Sequence, residues 1–480
     1  MKNFKKIQGN NSGIIIVQTL IFSSISILII GALSGWTATA IKAGRIAFNR
    51  EQAFQAAEAG IDYYRWHLAH APTDYQDGTG MPGPHVRDLK DRSGNTVARF
   101  SLNITAPQLG STIVVIESTG SSIKDPSYTR KIESRLAKPS IAKYAFAGHS
   151  NMRFGPGTEI FGTVHSNGGI RFDGLAHNIV TSATTSYTAN DSDACTTINS
   201  YGVHTCLPPQ DPTFPTPLPS RPTVFEAGRL ISQPAINFSG FTADLAILKA
   251  NAQANGFYRD AAGGSFRGYR ILLRTNDTFD LFRVNTWAGL GSCTTQTPNT
   301  LSWSIGTQTL LGNYAFPANG IIFIEDHVVV EGTIDGARLT IAAADLPVPA
   351  PTGFKNIIIN NDINYTYFDG RDSIGLIGQG AVLVGMISDT NLRIDAALIA
   401  QNDRVGRFYF SGSSCAFRNR ASLTLYGMIA SYLRYGFSYT DGTGYAIRNL
   451  TYDANLLYAP PPDFPLTSSQ YQILSWQEKN

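Results

Sequence analysis

The chain has 480 residues and a formal net charge of only +3, which leaves room for roughly two to four domains. Charged residues make up 15% of the sequence, and the basic ones are too scattered to indicate a nucleic-acid-binding protein. The sequence contains no Walker loop, HExxH motif or CxxC motif, so these nucleotide, zinc-protease and redox signatures are excluded. The 45 glycines and 24 prolines favour short strands joined by tight turns.

The amino-terminal segment has the features of a membrane anchor. Lys2, Lys5 and Lys6 precede an uncharged apolar run over residues 14–33, whose only strongly polar side chain is Gln18. At 1.5 Å per residue, this run is about as long as the hydrocarbon core of a bilayer is thick, about 30 Å. Lysines before a single membrane-spanning segment predict a cytoplasmic amino terminus, with the body periplasmic or extracellular.

The helical pattern continues beyond the apolar run. Residues 14–71 contain no proline, and Pro72 is expected to end the helix. Apolar residues in the second half recur mostly three or four positions apart, as in an amphipathic helix: Ile41, Ala47, Phe48, Phe54, Ala57, Ile61, Tyr64 and Leu68. We therefore predict a transmembrane and amphipathic helix over residues 14–71. A cleaved secretory signal is the competing interpretation, because residues 38–40 (Ala-Thr-Ala) imitate a cleavage site.

These residues carry a resemblance to a known family. The basic leader over residues 1–13 is similar to the prepilin signal of type IV pilins and pseudopilins. Residues 50–61 (REQAFQAAEAGI) resemble the AxxAAEAGI stretch in the amino-terminal domain of PilX-type minor pilins. The resemblance implies that prepilin peptidase cuts between Gly13 and Ile14 and that the new amino terminus is methylated. It also places Gln18 fifth in the mature chain, at a position that takes part in filament assembly.

The glutamine at this fifth position departs from the pattern of major pilins, which carry glutamate there. Gln18 can accept a hydrogen bond from a neighbour without bringing a charge into the bilayer. The resemblance therefore implies a PilX-like or tip-type subunit rather than a major one. An uncleaved anchor helix with no pilus is the alternative.

The rest of the sequence predicts a mainly β fold. Alternating apolar and polar residues, with 96–105 the clearest case, predict a small antiparallel pilin-like head domain over residues 72–139. Short apolar segments separated by glycine turns then predict an irregular β-helix or β-solenoid in two parts, residues 140–206 and 319–457. A β-sandwich is the alternative fold.

Two segments lie outside the predicted solenoid. Residues 207–318 are expected to form a proline-rich strap followed by an α/β insertion, with one helix at residues 242–255. Residues 458–480 begin with three consecutive prolines followed by Asp-Phe-Pro, which predicts an extended strap anchored by Trp476.

The chain has four cysteines, Cys195, Cys206, Cys293 and Cys415, and their spacing does not resemble a zinc site. An even number of cysteines in an exported chain predicts disulfides. Cys195–Cys206 would close a small loop, and Cys293–Cys415 would then join distant segments. Free buried thiols are the alternative, because connectivity cannot be read from sequence.

The sequence predicts neither a catalytic site nor a bound cofactor. A loose group of aspartates could in principle serve acid/base hydrolysis, which needs two carboxylates about 5–9 Å apart, but their Gly, Asn and Ser neighbours are typical of turns: Asp362, Asp369, Asp372, Asp389 and Asp395. Calcium could bind at Asp191 and Asp193, or around Asp369 and Asp372, although no EF-hand spacing is present. The tyrosine-rich run 426–452 would either stack inside the solenoid or form a binding surface.

These features together predict a non-enzymatic, minor pilin-like component of a type IV pilus or a related secretion filament. Its β-rich body would be displayed for assembly priming or adhesion. The expected partners are other pilins through the amino-terminal helix, prepilin peptidase, the membrane and a surface glycan or cell surface, but not nucleic acid. The alternatives are a membrane-anchored β-helix enzyme acting on polysaccharide, and an anchored structural solenoid without a filament.

Overall fold

The structure is a computed structural model that describes residues 12–107, 111–189, 199–296, 299–347, 353–439, 441–457 and 459–479. The chain forms two compact units, which we call the head unit and the body. The head unit comprises Met1–Ala106, Val114–Leu136 and Ile473–Asn480. The body comprises Pro107–Ile113 and Ala137–Gln472.

The head unit begins with a single helix of 59 residues, α1 (Ser12–His70), which confirms the predicted helix to within two residues at each end. Its most apolar 18-residue window has a mean hydropathy of 2.4, and none of that window is buried. By length and composition, α1 is the helix among the described residues that could cross a membrane. The helix ends just before Pro72, whose ring cannot continue it.

Four strands follow α1 and form an antiparallel meander: β1 (His85–Lys90), β2 (Thr96–Thr105), β3 (Val114–Ser122) and β4 (Thr129–Ala137). Buried and less buried residues alternate along β3 without exception, as expected of a strand with one face on a core. The antiparallel head predicted for residues 72–139 is therefore present.

A fifth strand of the head sheet comes from the far end of the sequence. Residues Gln472–Lys479 lie next to β4 at the edge of the sheet. The Ser134 hydroxyl donates to the Ser475 carbonyl at 3.1 Å, and Arg130 forms an ion pair with Glu478. The predicted strap over residues 458–480 is thus corrected at its end, which is a strand. Residues 138–471 are inserted between two neighbouring strands of one sheet.

In the part of the body that the structure describes, many short strands accompany one α-helix and short 3-10 helices. The strands before the helix are β5 (Phe146–Gly148), β6 (Met152–Phe154), β7 (Glu159–Ile160), β8 (Val164–Ser166), β9 (Ile170–Phe172), β10 (Leu175–Ala176), β11 (Val180–Ser182), β12 (Ser186–Tyr187), β13 (Ser200–Tyr201), β14 (Val203–His204) and β15 (Arg229–Leu230). The helix is α2 (Phe241–Asn255), close to the predicted residues 242–255.

The strands after α2 are β16 (Phe257–Arg259), β17 (Tyr269–Arg274), β18 (Thr278–Trp287), β19 (Thr294–Thr295), β20 (Ile305–Ala315), β21 (Ile321–Ile324), β22 (Val328–Ile334), β23 (Arg338–Ala343), β24 (Ile357–Ile359), β25 (Ile363–Tyr365), β26 (Ser373–Gly378), β27 (Val382–Val384), β28 (Asn391–Ala400), β29 (Val405–Arg407), β30 (Phe410–Ser411), β31 (Asn419–Ser431) and β32 (Gly444–Tyr452). The strand Gln472–Lys479 of the head sheet is β33.

Most of the body strands pair in parallel, one turn of the chain on the next, which confirms a β-helix-like body. Residues in register on successive turns form one continuous apolar column: Phe257, Ile322, Ile341, Leu376, Leu398, Ile429, Phe146, Val164 and Val180. Each turn covers the apolar face of the one before it, so stacking creates the core.

The order of this column differs from the order of the sequence. Strand β5, from the first predicted solenoid part, stacks on β31 at the end of the second part, so the two parts form one stack. The chain therefore leaves one end of the stack near β15 and re-enters at the other end with β16. Strands β16 and β17 also pair in parallel with β21 and β22, which corrects the prediction that residues 207–318 lie wholly outside the solenoid.

Helix α2 lies between these two points and covers an outer face of the stack. Its residues Phe241, Leu245 and Leu248 are buried in an apolar cluster with Phe323 and Ala342. Strands β21 and β23 therefore bury side chains on both faces. This explains why their sequences are almost continuously apolar.

The disulfide prediction is confirmed for one pair. Cys293 and Cys415 are bonded to each other, with a Cα–Cα distance of 4.6 Å, beside the buried side chains of Met386 and Phe410. Cys206 is disulfide-bonded as well. Cys195, its predicted partner, lies outside the described residues.

Candidate functional site: the N-terminal helix and its contact with the head sheet

The residues predicted to direct processing and assembly lie at the start of α1. Gly13, Ile14 and Gln18 are all helical, and Ile14 retains 61% of its accessible surface. Gln18 is exposed as well. The predicted assembly residue therefore lies on an uncovered surface of α1.

Several hydroxyl groups in this half of the helix are already satisfied within it. Each donates a hydrogen bond of 2.7–2.9 Å to the backbone carbonyl four residues earlier: Thr19, Ser24, Ser34, Thr37 and Thr39. Polar groups that bond within their own helix are inexpensive to place in lipid. Gln18 has a longer side chain than these residues and is exposed on the helix.

The second half of α1 packs on the head sheet through small residues. Ala53, Ala56 and Ala57 are fully buried on one face of the helix, opposite Gly120 of β3, and Gly60 is buried on the same face. A Cβ added at Gly120 would lie 2.0 Å from the Ala53 carbonyl oxygen and 2.5 Å from the Ala57 nitrogen. The helix backbone and strand β3 are thus in direct contact, which only glycine and alanine permit.

Gly60 makes the same kind of contact one turn further along. A Cβ added there would lie 2.2 Å from the Ser118 hydroxyl and 3.0 Å from the Phe100 ring. The stretch that resembles the PilX-type domain therefore has a physical role here, since its alanines and glycine allow close approach of helix and sheet. Gly120 and Ser118 of β3, which complete this contact, were not identified from the sequence, because nothing local marks them as facing a helix.

Larger side chains continue this contact toward the end of the helix. Ile61, Tyr64 and Leu68 are buried as predicted. The first residues of the predicted apolar stripe are not covered within this chain, because Ile41 and Phe48 are 52% and 55% exposed. The helix first becomes buried at Asn49, so the residues before it have no sheet to pack against.

A compact loop after the helix fixes its end. Asp77 is buried and accepts hydrogen bonds from the Tyr63 hydroxyl at 2.9 Å and from Arg87 at 2.7 Å. Asp74 accepts a bond from the Gln76 backbone N–H at 2.8 Å, and this bond holds the pKa of Asp74 below its usual value. The Tyr64 hydroxyl donates to the Asp74 carbonyl at 2.8 Å. The side chains on the last turns of α1 are therefore held by several hydrogen bonds.

The aspartates considered for catalysis or calcium have structural partners instead. The Asp372 carboxylate accepts three backbone N–H bonds at 2.8–2.9 Å, from Ala337, Thr366 and Tyr367. Asp369 is paired with Arg371. Within the described ranges, no group of three or more His, Cys, Asp or Glu residues could hold a metal ion. Asp191 and Asp193 lie outside the described residues.

Two of the other candidate aspartates, Asp395 and Asp362, are also hydrogen-bonded. One oxygen of the buried Asp395 accepts bonds from the Tyr365 N–H and from Arg393, both at 3.0 Å. Burial raises the pKa of Asp395, and the Arg393 bond opposes that rise. Asp362 accepts the Arg393 backbone N–H at 2.7 Å. Burial raises the pKa of Asp389, and the nearby Asp362 adds to the effect.

The tyrosine-rich run is packed into the body. All the described tyrosines and phenylalanines of this run are buried or half-buried: Tyr426, Tyr432, Tyr435, Phe437, Tyr439, Tyr445 and Tyr452. The core interpretation of this run therefore fits the structure better than a surface of exposed rings.

A histidine that bridges two glutamates on the surface of the body was not predicted from the sequence. The two ring nitrogens of His177 each lie 2.7 Å from a carboxylate oxygen, one of Glu159 and one of Glu226. The Phe161 ring stacks on the imidazole at 4.0 Å. Both carboxylates raise the pKa of His177, since they favour the charged imidazolium. The three polar residues are far apart in sequence and meet only because successive turns stack.

The comparisons with known proteins give few matches. No family model matches the chain, and no curated protein matches it. The solved structures that match include the competence-associated pilin ComZ from Thermus thermophilus. That match has 13% sequence identity and a TM-score of 0.29, and it covers 90% of this chain and 98% of the other.

Proposed function

We propose that this protein is a non-enzymatic, minor pilin-like subunit of a type IV pilus or a related secretion filament. The observation that carries the proposal is the construction of α1. Its first half is apolar and fully uncovered, and its second half is held on an antiparallel sheet through alanines and glycines. The first half of such a helix can span a membrane and later pack against other such helices, while its second half stays packed on the head sheet.

The connectivity of the head sheet supports display of the body. The body enters after β4 and returns at β33, which are neighbouring strands. It is therefore a large insertion into the head and leaves α1 free of inserted sequence. Because the body is large, we expect few copies of such a subunit in a filament, at its tip or base. Its role there would be assembly priming or adhesion. The structural partners of Asp369, Asp372 and Asp395 support a non-enzymatic role.

The first experiment is mass spectrometry of the amino terminus of native, membrane-derived protein. We expect a mature chain that begins at N-methylated Ile14. A Gly13→Leu variant should keep its leader, and Gly9→Leu in the same leader is the matched control that should still be cut. An intact Met1 on the wild-type protein, or a start near Ile41, would remove the pilin interpretation.

The second experiment tests the role of Gln18 in assembly. Gln18→Leu should reduce the amount of the protein recovered in sheared filaments, because leucine cannot accept a neighbour's hydrogen bond. Thr19→Val is the matched control, since the Thr19 hydroxyl is already bonded within its own helix. Equal recovery of all three proteins would mean that Gln18 has no part in assembly.

The third experiment separates adhesion from priming. Because Ser134 contacts Ser475, the ends of β4 and β33 that carry the body lie side by side, and a two-residue Asn-Gly turn can replace the body between them. If the body serves adhesion, filaments persist and attachment to surfaces is lost. If the body serves priming, the filaments themselves are lost. Normal filaments with normal attachment would refute both roles.

A further inference from the structure

A basic groove lies in the head unit, beside the helix just after its uncharged half. The groove has a volume of about 740 Å³ and is lined by α1 and by the turn that follows β3. Three cationic side chains line it, from Lys42, Arg45 and Lys124. The one acidic residue in the lining, Asp125, accepts hydrogen bonds from the backbone and hydroxyl of Ser127.

The three cations have no acidic partner among the residues that the structure describes. Lys124 instead lies over the ring of Phe48, 5.7 Å from its centroid. Lys42 and Arg45 are exposed on the helix. Unpaired cations that converge on one concavity repel each other, so the groove has an excess of positive charge that an anion would neutralise.

The position of the groove along α1 indicates where that anion comes from. Residues 14–41 contain no charged side chain. At 1.5 Å per residue they span about 42 Å, which matches the thickness of a bilayer with its headgroup layers, about 40–45 Å. Lys42 and Arg45 are the first charges beyond this stretch. Trp36 is 71% exposed shortly before them, as expected of an aromatic residue at the membrane interface.

We propose that this groove binds the phosphate group of an anionic phospholipid in the outer leaflet of the membrane that holds α1. The inference rests on the membrane anchoring in the proposed function. The cations are opposite in charge to the phosphate, and lysine and arginine side chains just outside an apolar membrane-spanning stretch extend toward the headgroups. Ile41 and Phe48, both more than half exposed, provide apolar surface for the glycerol and upper acyl chain. The bound lipid would hold the head at the membrane before assembly.

The test uses the full-length chain in vesicles of phosphatidylcholine with spin-labelled phosphatidylglycerol or spin-labelled phosphatidylcholine. Electron paramagnetic resonance then measures how strongly the protein immobilises each lipid. We compare the wild-type protein with the triple variant K42Q/R45Q/K124Q. The matched control is R65Q/K90Q/R92Q, which removes the same charge from exposed positions of the same unit outside the groove.

The wild-type protein should prefer phosphatidylglycerol, and each groove cation should contribute about a fivefold preference at low salt. The phosphatidylglycerol preference of the triple variant should therefore be up to about a hundredfold lower than that of the wild-type protein. The control variant should retain the wild-type preference. The preference should also shrink in high salt, which screens the charges.

Three outcomes would overturn the inference. Equal phosphatidylglycerol preference in the wild-type protein and the triple variant would refute the groove while leaving the anchor intact. Chemical cross-linking of the same proteins in the vesicles gives the second outcome. A triple variant that keeps its phosphatidylglycerol preference but no longer cross-links to other subunits would show that the groove is a contact between subunits instead. Failure of the wild-type protein to float with vesicles of either lipid would refute the anchor, and the lipid site with it.

Discussion

The contact between α1 and β3 makes a graded prediction for three glycine substitutions. In Gly120→Ala, the new methyl group would lie 2.0 Å from the Ala53 carbonyl oxygen, and both elements must separate because the obstacle is backbone. Overpacking of this kind costs about 1–3 kcal/mol. We place Gly120→Ala at the upper end, about 3 kcal/mol, because no side chain can turn away to make room.

The substitutions at the two other glycines should both cost less than Gly120→Ala. Gly60→Ala meets the Ser118 hydroxyl, which is a side chain and can rotate, and alanine gains up to about 1 kcal/mol in helix propensity. Its net cost should therefore be small, about 1 kcal/mol or less. Gly44→Ala is the matched control, because a Cβ there meets nothing within 4 Å. It should stabilise the helix slightly.

Hydrogen exchange on the full-length protein measures these effects strand by strand, which avoids mixing the unfolding of the two units. Gly120→Ala should lower the protection of the β3 amides about a hundredfold, since each 1.4 kcal/mol is a factor of ten. The buried Ser118 hydroxyl has no hydrogen-bond partner among the described residues. Ser118→Ala should therefore restore the protection of Gly60→Ala. Wild-type protection in Gly120→Ala would refute the close contact on which this reasoning depends.

Three further predictions concern the body. Replacing the bonded Cys293 and Cys415 by serine removes a link across 122 residues and should lower the free energy of unfolding by about 2–5 kcal/mol; calorimetry without reductant that shows no change would contradict this. His177 has a raised pKa, so its stabilising contacts are complete below its unfolded pKa, about 6.5, and are lost as the pH rises through the folded value. Hydrogen exchange should therefore show less protection of β7 and β10 at pH 8 than at pH 6, and His177→Gln should abolish the difference. Arg338 donates to the carbonyls of Gly370, Ala459 and Pro460. Arg338→Met should make the segment at Pro460 the first site of limited proteolysis, whereas Arg371→Met, which alters an exposed ion pair, should not.

The sequence predicted those parts of the fold that local patterns determine. The extent of α1 follows from the absence of proline and from its periodicity, and the strand at Thr96–Thr105 follows from alternation. The buried positions Ile61, Tyr64 and Leu68 also follow from spacing. Each of these features depends only on residues a few positions apart.

The features that the sequence did not predict depend on distant pairing. Strand β33 pairs with β4, which lies more than three hundred residues earlier in the sequence. The segment just before β33 is rich in proline, so local sequence alone predicts an extended strap there. The stacking of β5 on β31 is equally non-local. The same limit applies to the site, because Ala53 is recognisable in the helix but its neighbour Gly120 is not. The basic groove joins Lys42 to Lys124 only through the fold.

The position of β33 sets an order of events during synthesis. The ribosome must complete all of residues 137–471 before this strand is available to the head sheet. The head therefore keeps an open edge beside β4 for as long as the body is being made, and an exposed strand edge can pair with other chains. A chain that is cut short anywhere in the body never closes that edge. Closure of the head sheet thus requires that the body has been made in full, so a truncated chain differs from a complete one in the head as well as in the body.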